Sequence, residues 1–284
     1  MKRINFYVPS SGPYKSILDA LIGPIQEHLP DFSAEKRVMP ESINVGFFLV
    51  DKGCQVFIPH GIADKNYRNA DKVKDFDYVF VSGPAWVDKL VRQGFPQSKI
   101  LVGGYTKLDP IFQGKYKAAP RDKPRVLYAP THGAIEEISL QGRFDNELKK
   151  LREFYDVIEA PHPAISKGNV TMQVLVDADV VISDAGSIVY EAWALDKPVV
   201  FPSWLLKRGV MKRFPGSFED QIYREEIGYH AWNSTNLLDC VKQAYLSGID
   251  DKAMEFIEGI FPKTLRGNSG EETANLLRRV ASEQ

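Results

Sequence analysis

At 284 residues the chain exceeds the roughly 100–200 residues of a usual single domain, so two domains of similar size are expected. Hydrophobic residues make up 44% and charged residues 26%, which excludes a disordered chain, and a formal net charge of -1 excludes a global field for nucleic acid. Cys54 and Cys240 stand far apart without metal-ligand spacing, which excludes a disulfide scaffold and reads as two buried thiols in a reducing compartment.

In chain order, short β-rich runs alternate with amphipathic stretches, the pattern of parallel sheets covered by helices. Ile4–Val8 reads as a strand and Tyr14–Leu29 as a helix. A strand near Lys36–Met39, a helical stretch Ser42–Lys52 and a strand Gln55–Ile58 follow. Asp77–Ser82 and Lys99–Val102 are strands around a helix Pro84–Gln93. The polar, proline-containing segment Gln113–Lys123 reads as a linker, which sets domains at 1–117 and 118–284. Beyond it, Arg125–Tyr128, Asp156–Ala160, Val180–Ser183 and Val199–Phe201 read as strands. Asp145–Glu153, Asn169–Val176 and Ser187–Leu195 read as the helices between them. Ser234–Ser247, Asp250–Ile260 and Ser269–Ser282 form a helical C-terminus, whose last helix can pack back on the first domain. The fold class is therefore α/β with two parallel sheets. No run approaches the roughly 18 apolar residues of a membrane span. Asn5 and Pro9 break the only apolar start that could serve as a signal segment, so a cytoplasmic protein is expected.

In open parallel sheets ligands bind beyond the carboxyl ends of the strands, where loops converge and helix N-termini present N–H groups. The turns there are Pro59-His60-Gly61, Gly103-Gly104-Tyr105, Ala129-Pro130-Thr131-His132-Gly133, Pro161-His162-Pro163 and Ser183-Asp184-Ala185-Gly186-Ser187. Three of the five histidines fall in them, which makes these turns the place to look for chemistry. In the last turn a strand meets small residues and then a helix, so Ser183, Asp184, Gly186 and Ser187 can bring N–H groups and a positive helix end to phosphate oxygens. Glu191 lies one turn further along, where a carboxylate can accept hydrogen bonds from ribose hydroxyls. A plain helix cap explains the same residues without a ligand.

His60 at a strand end can take a proton from an attacking hydroxyl, with Gly61 beside it and Lys65 placed to hold a phosphate. A histidine satisfied by backbone carbonyls is the structural alternative. His162, fixed between two prolines, can stabilise charge on a transferring or leaving phosphate, or be a simple proline turn. Thr131 ranks above His132 as a phosphate contact, and His28 and His230 read as structural. Lys207, Arg208, Lys212 and Arg213 follow Trp204 and could touch an anionic membrane surface at the inner face of the cell membrane, or be a solvated loop. The sequence has no phosphate-binding P-loop, no H-E-x-x-H and no G-x-S-x-G, so neither a metal nor a cofactor is expected.

Taken together, the turns resemble the CDP-glycerol glycerophosphotransferase family, which includes teichoic acid primases and polymerases. Val56-Phe57-Ile58-Pro59-His60-Gly61 with Lys65 resembles its histidine-glycine motif with a following lysine. Gly104-Tyr105-Thr106-Lys107-Leu108-Asp109 resembles its G-Y-P-[RK]-x-D turn, and Val126-Leu127-Tyr128-Ala129-Pro130-Thr131 its V-L-Y-A-P-T strand. His162-Pro163 is similar to its second histidine motif, and Ser183-Asp184-Ala185-Gly186-Ser187 stands where it has S-D-Y-S-S. The resemblance implies a GT-B-like fold, two Rossmann-like domains facing across a cleft, with the nucleotide held mainly by the second. It implies His60 as the base, and His162, Thr131 and Ser187 on the donor phosphates. The implied reaction moves glycerol phosphate, or a similar polyol phosphate, from a CDP-linked donor to a glycan or lipid-linked hydroxyl, releasing CMP. The S-D-x-G-S segment is also similar to that of nucleotide-sugar enzymes, so a GT-B glycosyltransferase with a UDP-sugar donor, or a UDP-sugar epimerase-like enzyme, is the alternative.

Overall fold

The computed structural model describes residues 2–8, 14–131, 136–160 and 172–283. They divide into two compact units, which are taken in turn. The first holds the residues up to Ile62, Tyr67–Lys115 and the chain from Glu258 onward; the second holds Ala63–Asn66 and Tyr116–Ile257.

The first unit is built on β1 (Arg3–Tyr7), β2 (Phe32–Glu35), β3 (Ser42–Gly46), β4 (Val56–Phe57), β5 (Tyr78–Val81) and β6 (Ile100–Val102). They pair in parallel in the order β2-β1-β3-β4-β5-β6. Phe6, Val45, Val56 and Val79 are wholly buried, as strands covered on both faces require. Among the described residues the helices that accompany the strands include α1 (Lys15–Gln26), α2 (Ala70–Val73), α3 (Pro84–Arg92), α4 (Asp109–Phe112) and the C-terminal helix Ser269–Glu283. Leu18, Leu21, Ile22 and Ile25 give α1 a buried stripe at helical spacing.

Two expectations are corrected in this unit. Ser42–Gly46, expected to begin a helix running to Lys52, is instead the fully buried strand β3, between β1 and β4. A short apolar run suits a buried strand and a buried helix equally, so its place is set by its neighbours in the sheet. The strand expected at Lys36–Met39 lies earlier, at Phe32–Glu35, and the segment after it is held by side-chain amides. Asn44 Oδ1 accepts the Met39 N–H and an N–H of Asn5 Nδ2, each at 2.8 Å.

The second unit is built on β7 (Arg125–Ala129), β8 (Asp156–Glu159), β9 (Val180–Ser183), β10 (Val199–Pro202) and β11 (Tyr229–Ala231), parallel in the order β11-β10-β9-β7-β8. Its helices are α5 (Asp145–Phe154), α6 (Met172–Asp177), α7 (Ser187–Ala194), α8 (Ser203–Arg213), α9 (Phe218–Glu225) and α10 (Leu237–Ser247). α11 (Asp251–Ile260) begins here, and the division between the units falls inside it.

β11 and α8 carry no clear signal in the sequence, and α9 only its capping pair Ser217 and Asp220. Gly209 interrupts the helical pattern of α8, yet only glycine fits there, because a Cβ would lie 1.9 Å from the Glu137 carbonyl oxygen. α9 starts at Ser217, whose Oγ accepts the Asp220 N–H at 3.1 Å. Cys54 in the first unit and Cys240 in the second are free buried thiols, which burial, the largest cause, pushes up to about 12 and about 11. Among the described residues, no helix is long and apolar enough to cross a membrane.

Candidate active site

The strands of the second unit run parallel, so the turns after β7 and β9 lie at the same edge of its sheet. Asp184, directly after β9, points into the protein rather than out of it. One carboxylate oxygen accepts the N–H groups of Thr131 (2.8 Å) and Leu140 (3.2 Å), and the other accepts that of Ala185 (2.7 Å). Burial, the largest cause, raises its pKa, and the Lys65 ammonium counters the shift. The buried Ser183 hydroxyl donates to the Ala129 carbonyl at 2.7 Å. Ser183 and Asp184 thus join the ends of β9 and β7, and Thr131 is set in place by that joint.

Gly186 caps α7 in an extended conformation, and Ser187 opens the helix half-exposed. A Cβ on Gly186 would meet nothing closer than 3.8 Å, so a ligand can approach these amides closely. Glu191, by contrast, is 2% exposed, on the buried side of α7.

The four residues Ala63–Asn66 pack within this unit, around Glu219 at the start of α9. Glu219 accepts the N–H of Asp64 at 2.9 Å and that of Lys65 at 2.6 Å, one on each carboxylate oxygen. The Tyr190 hydroxyl donates to Glu219 at 2.6 Å. Asp64 reciprocates by accepting the N–H groups of Phe218 (2.9 Å) and Asn66 (3.1 Å). The Ala63 N–H donates to Ser187 Oγ at 3.3 Å.

Within this clasp Lys65 and Asn66 both take left-handed backbone, at φ of 45° and 56°. That conformation costs roughly 1–2 kcal/mol for each residue with a side chain, which the surrounding hydrogen bonds offset. The result is that Lys65 Nζ donates to Thr131 Oγ1 at 3.3 Å. Burial, the largest cause, lowers the Lys65 pKa, while the Asp184 and Glu219 carboxylates oppose the shift. The structure therefore brings Lys65, Thr131 and Ser187 together on the framework made by Ser183, Asp184 and Glu219. This group offers a cation, two hydroxyls and a helix N-terminus, all suited to phosphate oxygens.

His60 belongs to the first unit, at the carboxyl end of β4. Its Nδ1 lies 3.2 Å from the Phe47 carbonyl oxygen, which can only accept, so Nδ1 carries the proton in that bond. In the neutral ring Nε2 then holds the lone pair, the form a base needs. The ring stacks on Phe48 with centroids 4.5 Å apart and meets Tyr14 edge-on at 5.8 Å. Asp51 fixes that platform by accepting the N–H groups of Phe47 (2.7 Å) and Phe48 (2.9 Å). Gly61 lines a cavity of about 10 Å³ with Arg68, Ser82 and Thr273, the room of one water.

His162 and His132 lie outside the described residues. His230 is structural in context: its two ring nitrogens lie 2.7 Å from Ser203 Oγ and 3.1 Å from the Ile227 carbonyl oxygen. The basic cluster stands on α8 rather than on a loop. Trp204 packs against Phe144, and Lys207 pairs with Glu226 and lies 4.6 Å over the Trp232 ring, while Arg208, Lys212 and Arg213 remain exposed. Among the described residues no group of three or more His, Cys, Asp or Glu side chains is arranged to hold a metal ion. Glu219, Asp64 and Tyr190 do not stand out in the sequence. Ser217 and Asp220 form a capping signal that locates the start of α9, and nothing local tells that Glu219 faces residues 155 and 154 positions earlier.

A family model described as CDP-glycerol:poly(glycerophosphate) glycerophosphotransferase matches residues 53–252. The teichoic acid glycerol-phosphate primase of Bacillus subtilis (strain 168) is 26% identical over 231 residues, 73% of this chain and 58% of that protein. The chain thus spans little more than half the length of this curated relative. Among solved structures, the wall teichoic acid polymerase TagF aligns over 99% of this chain and 89% of its own, with a TM-score of 0.64 at 16% identity. S. aureus MnaA, in a co-structure with UDP, aligns over 99% of this chain and 97% of its own, with a TM-score of 0.55 at 13% identity. At these identities the two structures speak for the fold alone: α/β, GT-B-like, with two parallel sheets.

Proposed function

The chain belongs to the CDP-glycerol:poly(glycerophosphate) glycerophosphotransferase family, and from that premise we propose that it transfers glycerol phosphate, or a similar polyol phosphate, from a CDP-linked donor to a hydroxyl of a cell-surface glycan or lipid-linked acceptor. The observation that carries this reading is the meeting of Lys65, Thr131 and the Ser187 end of α7 at one edge of the second sheet. There the ammonium, the hydroxyls and the Gly186-Ser187 amides bind the donor diphosphate, with Ser183, Asp184 and Glu191 supporting them from the interior. A variant of TagF soaked with CDPG offers the same donor class in a protein of like fold.

In the proposed reaction His60 Nε2 takes the proton of the acceptor hydroxyl. The oxygen attacks the phosphorus that bears the polyol, and a new P–O bond forms. The bond from that phosphorus to the bridging oxygen breaks, and CMP leaves with the electron pair. Lys65 and His162 balance the charge that gathers on the leaving phosphate. The test is to incubate the protein with CDP-glycerol, CDP-ribitol and UDP-sugars and follow nucleotide release. CMP is expected, and release of UDP alone would overturn the donor assignment. His60→Ala should cut turnover by roughly 100- to 10,000-fold, the range for a general base, while CDP binding by calorimetry stays within about two-fold. Unchanged turnover would remove His60 from the mechanism.

The acceptor chemistry also bears on location. Cytoplasmic placement with peripheral contact at the membrane is part of the proposal, made through the exposed Arg208, Lys212 and Arg213 of α8 with Trp204 and Lys207 nearby. Vesicles rich in anionic lipid should co-sediment with the protein and release it when the three exposed residues are changed to Glu; equal sedimentation of both would discard this contact.

A further inference from the structure

Glu219 is a buried, hydrogen-bonded carboxylate of the second unit that the reaction above does not use. It is 1% exposed, and its oxygens are taken by the N–H groups of Asp64 and Lys65 and by the Tyr190 hydroxyl. Glu219 stands in the first turn of α9, yet a buried carboxylate is costly to retain unless its oxygens are satisfied, so its three donors define what it is there to hold. Two of those donors are the successive amides that enter the left-handed pair Lys65 and Asn66. Asn66 tolerates this backbone, but Lys65 has no preference for it, so the turn relies on being held.

What the turn accomplishes is visible at the far end of Lys65. Its ammonium reaches the Thr131 hydroxyl, while Thr131 is fixed from the opposite side by Asp184. Two acidic residues therefore place the two members of one phosphate-facing pair: Asp184 sets Thr131, and Glu219 sets Lys65. Building on the transferase reading above, we propose that Glu219 is a positioning residue, which clamps the left-handed turn and so aims the Lys65 ammonium at the donor diphosphate. Glutamine cannot replace it without loss, because one of its two terminal atoms would turn an NH₂ group toward a donor. Tyr190 adds the third contact and orients the carboxylate.

The proposal separates from a general stabilising role through a double-mutant cycle. CDP affinity is measured by calorimetry for the parent chain, Glu219→Gln, Lys65→Met and the double variant, alongside thermal unfolding of each. If Glu219 acts through Lys65, Glu219→Gln weakens CDP about ten-fold in the parent and less than about two-fold once Lys65 is Met. Equal fold-changes in both backgrounds, or unchanged affinity in the parent, would overturn the proposal. Should Glu219→Gln fail to fold, Tyr190→Phe runs the same cycle with about a three-fold loss expected in the parent and none beside Lys65→Met. A second readout does not depend on nucleotide: amine methylation of Lys65 followed by mass spectrometry should be faster in Glu219→Gln than in the parent. If the parent binds no CDP while this labelling difference stands, the donor reading fails and the positioning role falls with it. If the parent binds CDP and Lys65 labels alike in both chains, the clamp alone is wrong.

Discussion

At the end of β6 the chain turns through Gly103–Asp109, and at the end of β9 it turns through Asp184–Ser187. Both turns follow a buried parallel strand, both are rich in glycine and hydroxyl groups, and both carry an aspartate. In the first, the protein itself fills the space. Ser269 and Gly270, at the start of the C-terminal helix Ser269–Glu283, sit in the turn: Asp109 accepts the Gly270 N–H at 2.6 Å, and the Tyr105 N–H donates to Ser269 Oγ at 3.1 Å. Thr273 Oγ1 closes it by donating to the Gly103 carbonyl at 3.1 Å. In the second turn the aspartate is equally buried but binds backbone next to the strand ends, and the helix that follows leaves room beside Gly186, while Ser187 Oγ accepts the Ala63 N–H. The same polar turn thus serves as a socket for a helix in one unit and as the edge of a candidate ligand site in the other. Among the described residues, what separates them is that a whole helix fills the first turn, whereas a four-residue segment touches the second at Ser187 and Thr131.

The glycines offer the sharpest way to break that comparison. A Cβ on Gly104 would fall 2.2 Å from Ser269 Oγ, and its φ is +80°, so Gly104→Ala combines backbone strain with a clash. A loss of about 3 kcal/mol in a urea titration is expected, with CDP affinity unaltered in the protein that remains folded. A smaller loss than 1 kcal/mol would mean that the C-terminal helix is not seated as tightly as the socket implies.

Asp109 gives an effect of similar size that depends on pH. Burial, the largest cause, pushes its carboxyl up to about 6, against hydrogen bonds from Gly270, Ser269 and Gly267 that favour the charged form. Between the ordinary value of 3.8 and about 6, the folded protein keeps a proton that the unfolded chain has released. Its contribution to stability is therefore complete below that window and is lost as pH rises through it, by roughly 3 kcal/mol. Asp109→Asn should flatten the pH 4–6 slope of the urea midpoint relative to the parent, and parallel slopes would show that other carboxyls govern that range. The smallest change in stability is expected at the second turn. Gly186 has room for a methyl group, so Gly186→Ala should alter stability by less than about 0.5 kcal/mol. The methyl group would still crowd a phosphate at the α7 amides, so CDP affinity should fall by about ten-fold; unchanged affinity would place the diphosphate elsewhere.

Much of this was legible in the sequence because parallel sheets leave a strong trace. Runs such as Val180–Ile182 and Val126–Tyr128 are hydrophobic throughout, and the turns between them announce themselves with glycine, proline and histidine. The residues of β3 read as a helix because five buried residues do not distinguish strand from helix, and α8 goes unassigned because its glycine answers to the Glu137 backbone rather than to helix propensity. Of the site, the strand-end residues Lys65, Thr131 and Ser187 could be named from local pattern. Glu219 could not, since its meaning comes from contacts far away along the chain. The Gly104–Asp109 motif, though quoted for the family resemblance, owes its local shape to the C-terminal helix. A sequence pattern marks where a turn is constrained and leaves open whether the constraint is a ligand or a neighbouring element.

Cys54 and Cys240 have a practical consequence. One thiol is sealed in each unit, and both are held in the unreactive protonated form at neutral pH. A maleimide added to the native protein would therefore report opening events rather than surface chemistry. With the two modified peptides resolved by mass, a single time course would clock the breathing of each half of the chain separately, with no probe introduced.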